Sequence, residues 1–259
     1  MKPNGAGRDK KMIGQLSKLI KLFRDGKGQI AMMALYNYIP SWLFRYINFY
    51  IGYTGEAGES VDIKILRRLE KRYSFRFASI EDLPLIQTLF PGKNIENIRQ
   101  RFERKDVCIL ALEGEKCVGM SWLGTGRVHE ESKVKCSFRI QQNCVWVYDA
   151  FIAREHRSRG VYLALGKYAT MNSDFDKYYG FMVGINAASL KTHQRLGAII
   201  VYKMKFISFL GITLHSSKNI LDATEAPQKV WSGVFGKPII IGIEQEDAAK
   251  NKPEPVAVV

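Results

Sequence analysis

The chain has no stretch of about 20 apolar residues, the length a membrane-spanning helix requires. It lacks an N-terminal signal with a short apolar core and a small-residue cleavage site, so a cytoplasmic protein is expected. Cysteine is scarce: Cys108, Cys117, Cys136 and Cys144 are its four, and no two are spaced C-x-x-C. That argues against a zinc site or a disulfide framework and for reduced, buried strand residues; no metal is expected. Acidic residues are also short, 25 Asp and Glu against 39 Lys and Arg, a formal net charge of +14. Such a surface favours anionic partners: nucleic acid, an acidic membrane or a phosphorylated ligand. Nucleic acid is the least expected, because the basic residues are dispersed and neither a helix-turn-helix nor an RNA-binding aromatic motif occurs. No internal repeat is visible.

What is present is 259 residues with 46% hydrophobic and 12% aromatic content, enough for one large core. Residues 1–11 are polar and basic and read as disordered. Ile13, Leu16, Leu19, Ile20 and Phe23 recur at helical spacing beside Lys18, Lys21 and Arg24, which predicts a basic amphipathic helix. The run after it is uncharged from Gly28 to Phe44 and aromatic, but Asn37, Pro40 and Arg45 break it. Two readings stand. It packs on the following domain, at an interface with a second copy, or it lies in a bilayer interface, with Trp42, Tyr46 and Tyr50 at headgroup level and residues 10–50 on anionic lipid at the inner membrane face. The expected organisation is therefore an N-terminal helical extension over 1–60, a catalytic domain over 61–246 and a disordered tail over 247–259.

From Tyr73 the pattern is strand, two helices, three or four strands, helix, strand, helix, strand. Ser79 and Asn94 read as helix N-caps, Gly114 as a hairpin turn and Gly197 as a helix C-terminal glycine. The order predicts an α+β fold: a mixed, mostly antiparallel twisted sheet flanked by helices.

One joint carries chemistry. The strand "CVWVYDAFIA" runs into "REHRSRG" and then into a helix from Val161. Unpaired N–H groups and the dipole at a helix start attract anions. Gly160 admits close approach of a ligand, and Arg157 and Arg159 add fixed charge. On residues alone, this is either a pyrophosphate cradle or a solvated basic loop.

"FIAREHRSRGVYLALGKYA" resembles the acyl-CoA-binding segment of the GNAT (Gcn5-related N-acetyltransferase) superfamily, whose pattern is Arg/Gln-x-x-Gly-x-Gly/Ala. Arg157 and Gly160 match it, and Tyr162 stands where the family has a small residue. "GINAASLKTHQRLGAIIVYK" is similar to the family's later block at Asn186, Ser189, Leu196 and Gly197, with His193 where a Tyr is frequent. The resemblance covers Tyr73 to Leu210.

It implies acyl transfer from acetyl-CoA or a longer acyl-CoA to an amine. Phe151 and Ile152 would bond the pantetheine arm on a strand splayed from its neighbour. Arg157, Ser158, Arg159, Gly160, Val161 and Tyr162 would hold the pyrophosphate, and Asn186 and Ser189 the cofactor arm. His193 would protonate the leaving thiolate, with Tyr202 and Tyr148 as further donors. Asp149 and Glu113 are candidate bases for the acceptor amine. Asp149 has an awkward orientation: strict alternation would turn it away from the sheet face that Tyr148 occupies. An aromatic, basic segment ahead of such a domain is loosely similar to bacterial acyltransferases of cell-surface glycan and lipid pathways, which suggests an amino sugar or a lipid- or glycan-linked amine as acceptor. The competing expectation is a non-catalytic module of the same fold that binds an anionic surface.

Overall fold

A computed structural model describes residues 20–21, 24–25, 40, 43–55, 63–92, 94–184, 186–221, 228–232 and 239–242. The expected disordered ends and most of the basic helix lie outside these residues; within that helix, Ile20, Lys21 and Arg24 are helical.

Nine strands form one sheet, in the order β11-β10-β9-β1-β8-β7-β4-β3-β2. They are β1 (Phe44–Thr54), β2 (Ser74–Phe77), β3 (Val107–Glu113), β4 (Lys116–Gly124), β7 (Cys144–Ile152), β8 (Lys177–Val183), β9 (Ile199–Phe209), β10 (Ile212–Asn219) and β11 (Gln228–Ser232). All neighbours are antiparallel except β7 and β8. A second sheet joins β5 (Val128–Glu131), β6 (Cys136–Arg139) and β12 (Ile239–Gly242). The helices are α1 (Ile63–Glu70), α2 (Leu83–Leu89), α3 (Ile95–Glu103), α4 (Val161–Asn172) and α5 (Ala187–Arg195).

The expectation of an N-terminal helical extension is corrected at β1. Phe44–Thr54 is a strand in the middle of the large sheet, pairing with β8 on one side and β9 on the other. Its composition explains this: Phe49 and Ile51 are fully buried on one face, and Gly52 lies where an added Cβ would be 2.6 Å from the Ile199 carbonyl oxygen. Strand pairing satisfies the backbone N–H and C=O groups of Phe44–Thr54 inside the fold, while most of the aromatic run before it, Trp42 included, lies outside the described residues.

The large sheet has two distinct faces. On face A, α1 and α4 cover Ile109, Ala111, Val118 and Val145. On face B, α2 and α3 cover Cys108, Leu110, Met120 and Trp122. The small sheet covers the rest of face B, with Val134, Cys136 and Phe138 against Phe49, Trp146 and Tyr179. This alternation of burial along β3 is what period-2 side-chain geometry requires of a strand covered on both faces.

Local signals behave largely as expected. Asn94 caps α3 by accepting from the Glu96 N–H at 2.9 Å. The segment from Ser79 opens as a short 3-10 turn, Ile80–Asp82, with Asp82 Oδ2 accepting from the Ser79 N–H, before α2 proper. The helix that starts at Val161 stops at Asn172. The Ser173 and Tyr178 hydroxyls then accept the role of the next turn by donating to the Ala169 carbonyl, and Lys177–Val183 extends as β8. The β9–β10 hairpin turns on Leu210 and Gly211, both at positive φ (48° and 82°).

Candidate functional site

β7 and β8 lie parallel and pair from Cys144/Lys177 to Val147/Gly180, and no further. Beyond Val147, β7 pairs with β4 alone, while β8 continues along β1 to Val183. The two central strands thus part at Val147 and Gly180, which opens the edge of β7 that runs to Phe151 and Ile152.

At the end of β7, a 3-10 turn, Arg154–His156, leads into a loop that places Ser158 at φ 60° and Gly160 at φ 88°. Gly160 is the N-cap of α4 and has no side-chain cap hydrogen bond, so the N–H groups of the first turn point outward. An L side chain at Gly160 would be strained by its φ, with Leu69 Cδ1 3.4 Å from the added Cβ. Arg154, Ser158 and Arg159 are exposed beside this helix start. The set fits a diphosphate: free amide donors, positive charge and a backbone without a Cβ in the way. Arg157 is placed differently. Its Nε donates to the Ile152 carbonyl at 2.9 Å and its guanidinium lies 5.6 Å from the Phe151 ring centre, so it braces the strand end. His156 is buried, and its Nδ1 meets the Tyr73 hydroxyl at 3.1 Å.

Tyr162 and His193 meet across the gap. The Tyr162 hydroxyl lies 3.1 Å from His193 Nε2, and His193 Nδ1 lies 2.8 Å from the Ser189 carbonyl. A carbonyl only accepts, so Nδ1 carries the proton of a neutral ring, and Nε2 accepts from the Tyr162 hydroxyl. Burial lowers the His193 pKa and holds the ring neutral, against the opposing Ser189 bond; burial also pushes Tyr162 up to about 12. The pair borders a cleft under α4 of about 660 Å³, open solvent included, lined also by Val147, Gly180, Met182 and Leu196. Asn186 caps α5 by accepting from the Ser189 N–H at 3.1 Å.

The other sequence-derived candidates lie elsewhere. Tyr202 is buried on face B, packed with Phe49, Ile51 and Trp146, on the opposite side of the sheet from His193. Glu113 is held by Arg72, whose hydrogen bond keeps the carboxylate below its usual range. Asp149 forms an ion pair with Arg101 at 2.6 Å. The alternation argument fails at this residue. Trp122 pairs with Tyr148 and Met120 with Phe151, which leaves an extra residue in β7, and Asp149 takes φ 43°. This bulge turns Asp149 to the same side as Tyr148, so that both lie against the Arg101 guanidinium.

Around that bulge, face B gathers groups the sequence reading did not single out. The Tyr148 hydroxyl donates to Asp106 Oδ2 at 2.7 Å, and Arg104 pairs with the same oxygen at 3.0 Å. His129 stacks on Trp146 with ring centres 4.8 Å apart, and burial pushes its imidazole down to about 4, against the pull of Asp106 and Asp149. Burial raises Glu131. One signal was available: Arg101 sits three residues after Ile98, on the buried stripe of α3. His129 and Glu131 reach the cluster from β5, remote in sequence, whereas Asp106 follows Arg104 by two residues in the turn after α3.

No helix among the described residues is long and apolar enough to cross a membrane, and no cluster of metal-binding side chains occurs among them. No family model and no curated protein matches the sequence. Solved structures with partial likeness include a functionally unknown conserved protein from Staphylococcus epidermidis (12% identity, TM-score 0.44, 68% of this chain and 65% of that one). Another is a GCN5-related glucosamine N-acetyltransferase region of a fungal multi-domain GH3 β-N-acetylglucosaminidase (14%, 0.47, 74% and 22%). A third is a GCN5-related N-acetyltransferase-like protein from Streptococcus suis (10%, 0.45, 69% and 67%). The chain thus spans 65% of the first of these proteins and 22% of the second, and what it shares with them is a partial likeness in backbone arrangement.

Proposed function

We propose that the protein is an acyltransferase that moves an acyl group from acyl-CoA to an amine. The observation that carries this reading is a coincidence of three features at one point. The β7–β8 pair parts after Val147 and Gly180, β7 ends in the left-handed, arginine-bearing loop, and that loop delivers the uncapped N-terminus of α4. An extended, amide-containing arm that ends in a diphosphate matches the open strand edge followed by the anion cradle.

In this reading Phe151 and Ile152 bond the pantetheine arm, the amides of Val161 and Tyr162 take the pyrophosphate, and Arg159 adds charge. Arg157 fixes the strand end through Ile152. Asn186 and Ser189 border the arm at the start of α5. The acceptor ammonium first gives a proton to Asp149, directly or through water. The neutral amine nitrogen then attacks the thioester carbonyl, the C–S bond breaks, and the thiolate takes a proton from the Tyr162 hydroxyl, which His193 orients. The proton shed by the acylated nitrogen returns through solvent to Tyr162. That assigns the acid role to the Tyr162–His193 pair rather than to His193 alone, because the neutral ring offers its lone pair at Nε2. Asp149 and its neighbours on face B hold the ammonium of the acceptor. The cleft lining of Leu123, Val147, Leu165, Met182 and Leu196 suits an acyl chain longer than acetyl.

A thiol-release assay with thioesters of increasing chain length, run against amino sugars and simple amines, tests this. Turnover that rises with chain length is expected. Absence of both turnover and CoA binding overturns the reading and leaves a non-catalytic module of the same fold.

A further inference from the structure

The outer half of the large sheet is finished differently on its two faces. On face B, Met204, Phe206, Thr213 and His215 are buried. On face A the register places Phe44 opposite Phe209, Tyr46 opposite Ile207, and Ile212 opposite Phe209, and directly opposed residues share a face. Much of this strip faces solvent: Phe209 is 55% exposed, Ile212 49% and Tyr46 42%, with Ile207 half-buried between them. The strip continues onto the β9–β10 turn, where Leu210 is 50% exposed, and onto Leu43, whose carbonyl accepts from the Leu210 N–H at 3.0 Å.

The turn itself is costly for what it displays. Leu210 and Gly211 both have positive φ, as in a type I′ hairpin, whose preferred first residue is Asn or Asp. Leucine in that conformation is strained, and here half its surface faces water, so neither local geometry nor core packing calls for it. Further along the same face, Lys205 follows Ile207, then Lys203; Lys218 stands opposite Lys203, and all three lysines are exposed. Lys205 is four residues from Phe209, roughly 13 Å along the strand at about 3.3 Å per residue. An apolar, aromatic tip with a lysine band at that distance matches the depth of a bilayer interface, where apolar side chains enter about 5–10 Å and cations meet anionic headgroups.

We infer that face A of β1, β9 and β10, with the Phe209–Ile212 turn as its inserting tip, docks this protein on an anionic membrane surface. The occupant is a lipid surface because the apolar strip is flanked by cations of one sign, in a chain of net charge +14. This does not depend on acyl transfer; it places whatever the cleft does beside a membrane.

Flotation of the full chain with vesicles tests it. Binding is expected to phosphatidylcholine vesicles containing about one-third phosphatidylglycerol, and to fall in high salt, while pure phosphatidylcholine binds weakly. Leu210→Asn restores the preferred Asn-Gly turn, so with Phe209→Ser it removes the tip without loss of the fold, which a thermal melt checks; affinity should drop about tenfold or more. Lys203→Gln with Lys205→Gln should abolish the preference for anionic lipid. No flotation, or flotation unchanged in these folded variants, overturns the proposal. So does a concentration-dependent dimer, seen by sedimentation, that the same tip substitutions dissolve, since a second copy would then be the occupant.

Discussion

The two faces of β7 at the point where it leaves β8 are built from opposite chemistry. Face A carries a neutral pair, Tyr162 and His193, over an apolar cleft. Face B carries charges: Asp149 on Arg101, and Asp106 shared by Tyr148 and Arg104. The difference follows from how each face is covered. Helices α4 and α5 bring hydroxyl and imidazole groups to a largely apolar cleft, where neutral hydrogen-bonded partners are cheaper to bury than charges. The bulge at Asp149 lies between α3 and the small sheet, where a buried cation from α3 meets a carboxylate that still reaches water. Ordinary alternation thus gives β7 a face under a neutral hydrogen-bonded pair and a face under ions, and the bulge gathers Tyr148 and Asp149 together on the second.

The comparison breaks most sharply at Arg101. Arg101→Ala strips the partner from Asp149 and from the two rings beneath it, and should cost about 3 kcal/mol in chemical denaturation. Asp149→Asn keeps a residue that tolerates positive φ and removes only the charge. It should cost less than Arg101→Ala, and an equal or larger loss would show that the bulge, not the ion pair, is what Asp149 supports.

On face A, Tyr162→Phe deletes the hydroxyl without changing ring packing. A stability loss of about 1 kcal/mol is expected, together with a fall of about a hundredfold in kcat for thioester turnover and little change in CoA affinity. A fall confined to affinity would move Tyr162 from proton donor to cradle. Gly160→Ala works on the cradle instead. It should weaken CoA binding and lower the melting temperature, because φ 88° is unfavourable for alanine.

The smallest expected effect is a pH dependence shared by both faces. His193 and His129 are held neutral by burial, so their folded pKa values lie below the unfolded one. Their contribution to stability is complete above the unfolded pKa of about 6.5 and is lost as pH falls towards the folded value, which for His129 is about 4. Replacing His129 with Phe should flatten the melting-temperature profile between those limits. An unchanged profile would assign the acid sensitivity to other groups.

Much of this was legible before folding. The Arg-rich joint, the Gly160 helix start, the Asn94 cap and the Asn186-to-Gly197 helix are set by residues close in the chain, and local sequence carries local geometry. β1 was not legible as a strand in the sheet. Its aromatic residues, interrupted by Arg45, suit a bilayer interface as well as a strand, and only pairing with β8 and β9 shows that they form a strand. That Tyr202, a candidate donor by resemblance, lies on the face opposite His193 was illegible for a similar reason, since a residue's face depends on register with strands that are distant in sequence.

The sequence by itself determined the strand–loop–helix joint, the second helix with its glycine stop and the excess of positive charge, because each rests on residue type or short-range spacing. The tertiary structure alone decided that Phe44–Thr54 inserts between β8 and β9, that Tyr162 reaches His193, and that Asp149 turns to Arg101. The reason is physical: hydrogen-bond register and bulges are settled between strands, and a one-residue shift in either moves a side chain to the other face of the sheet.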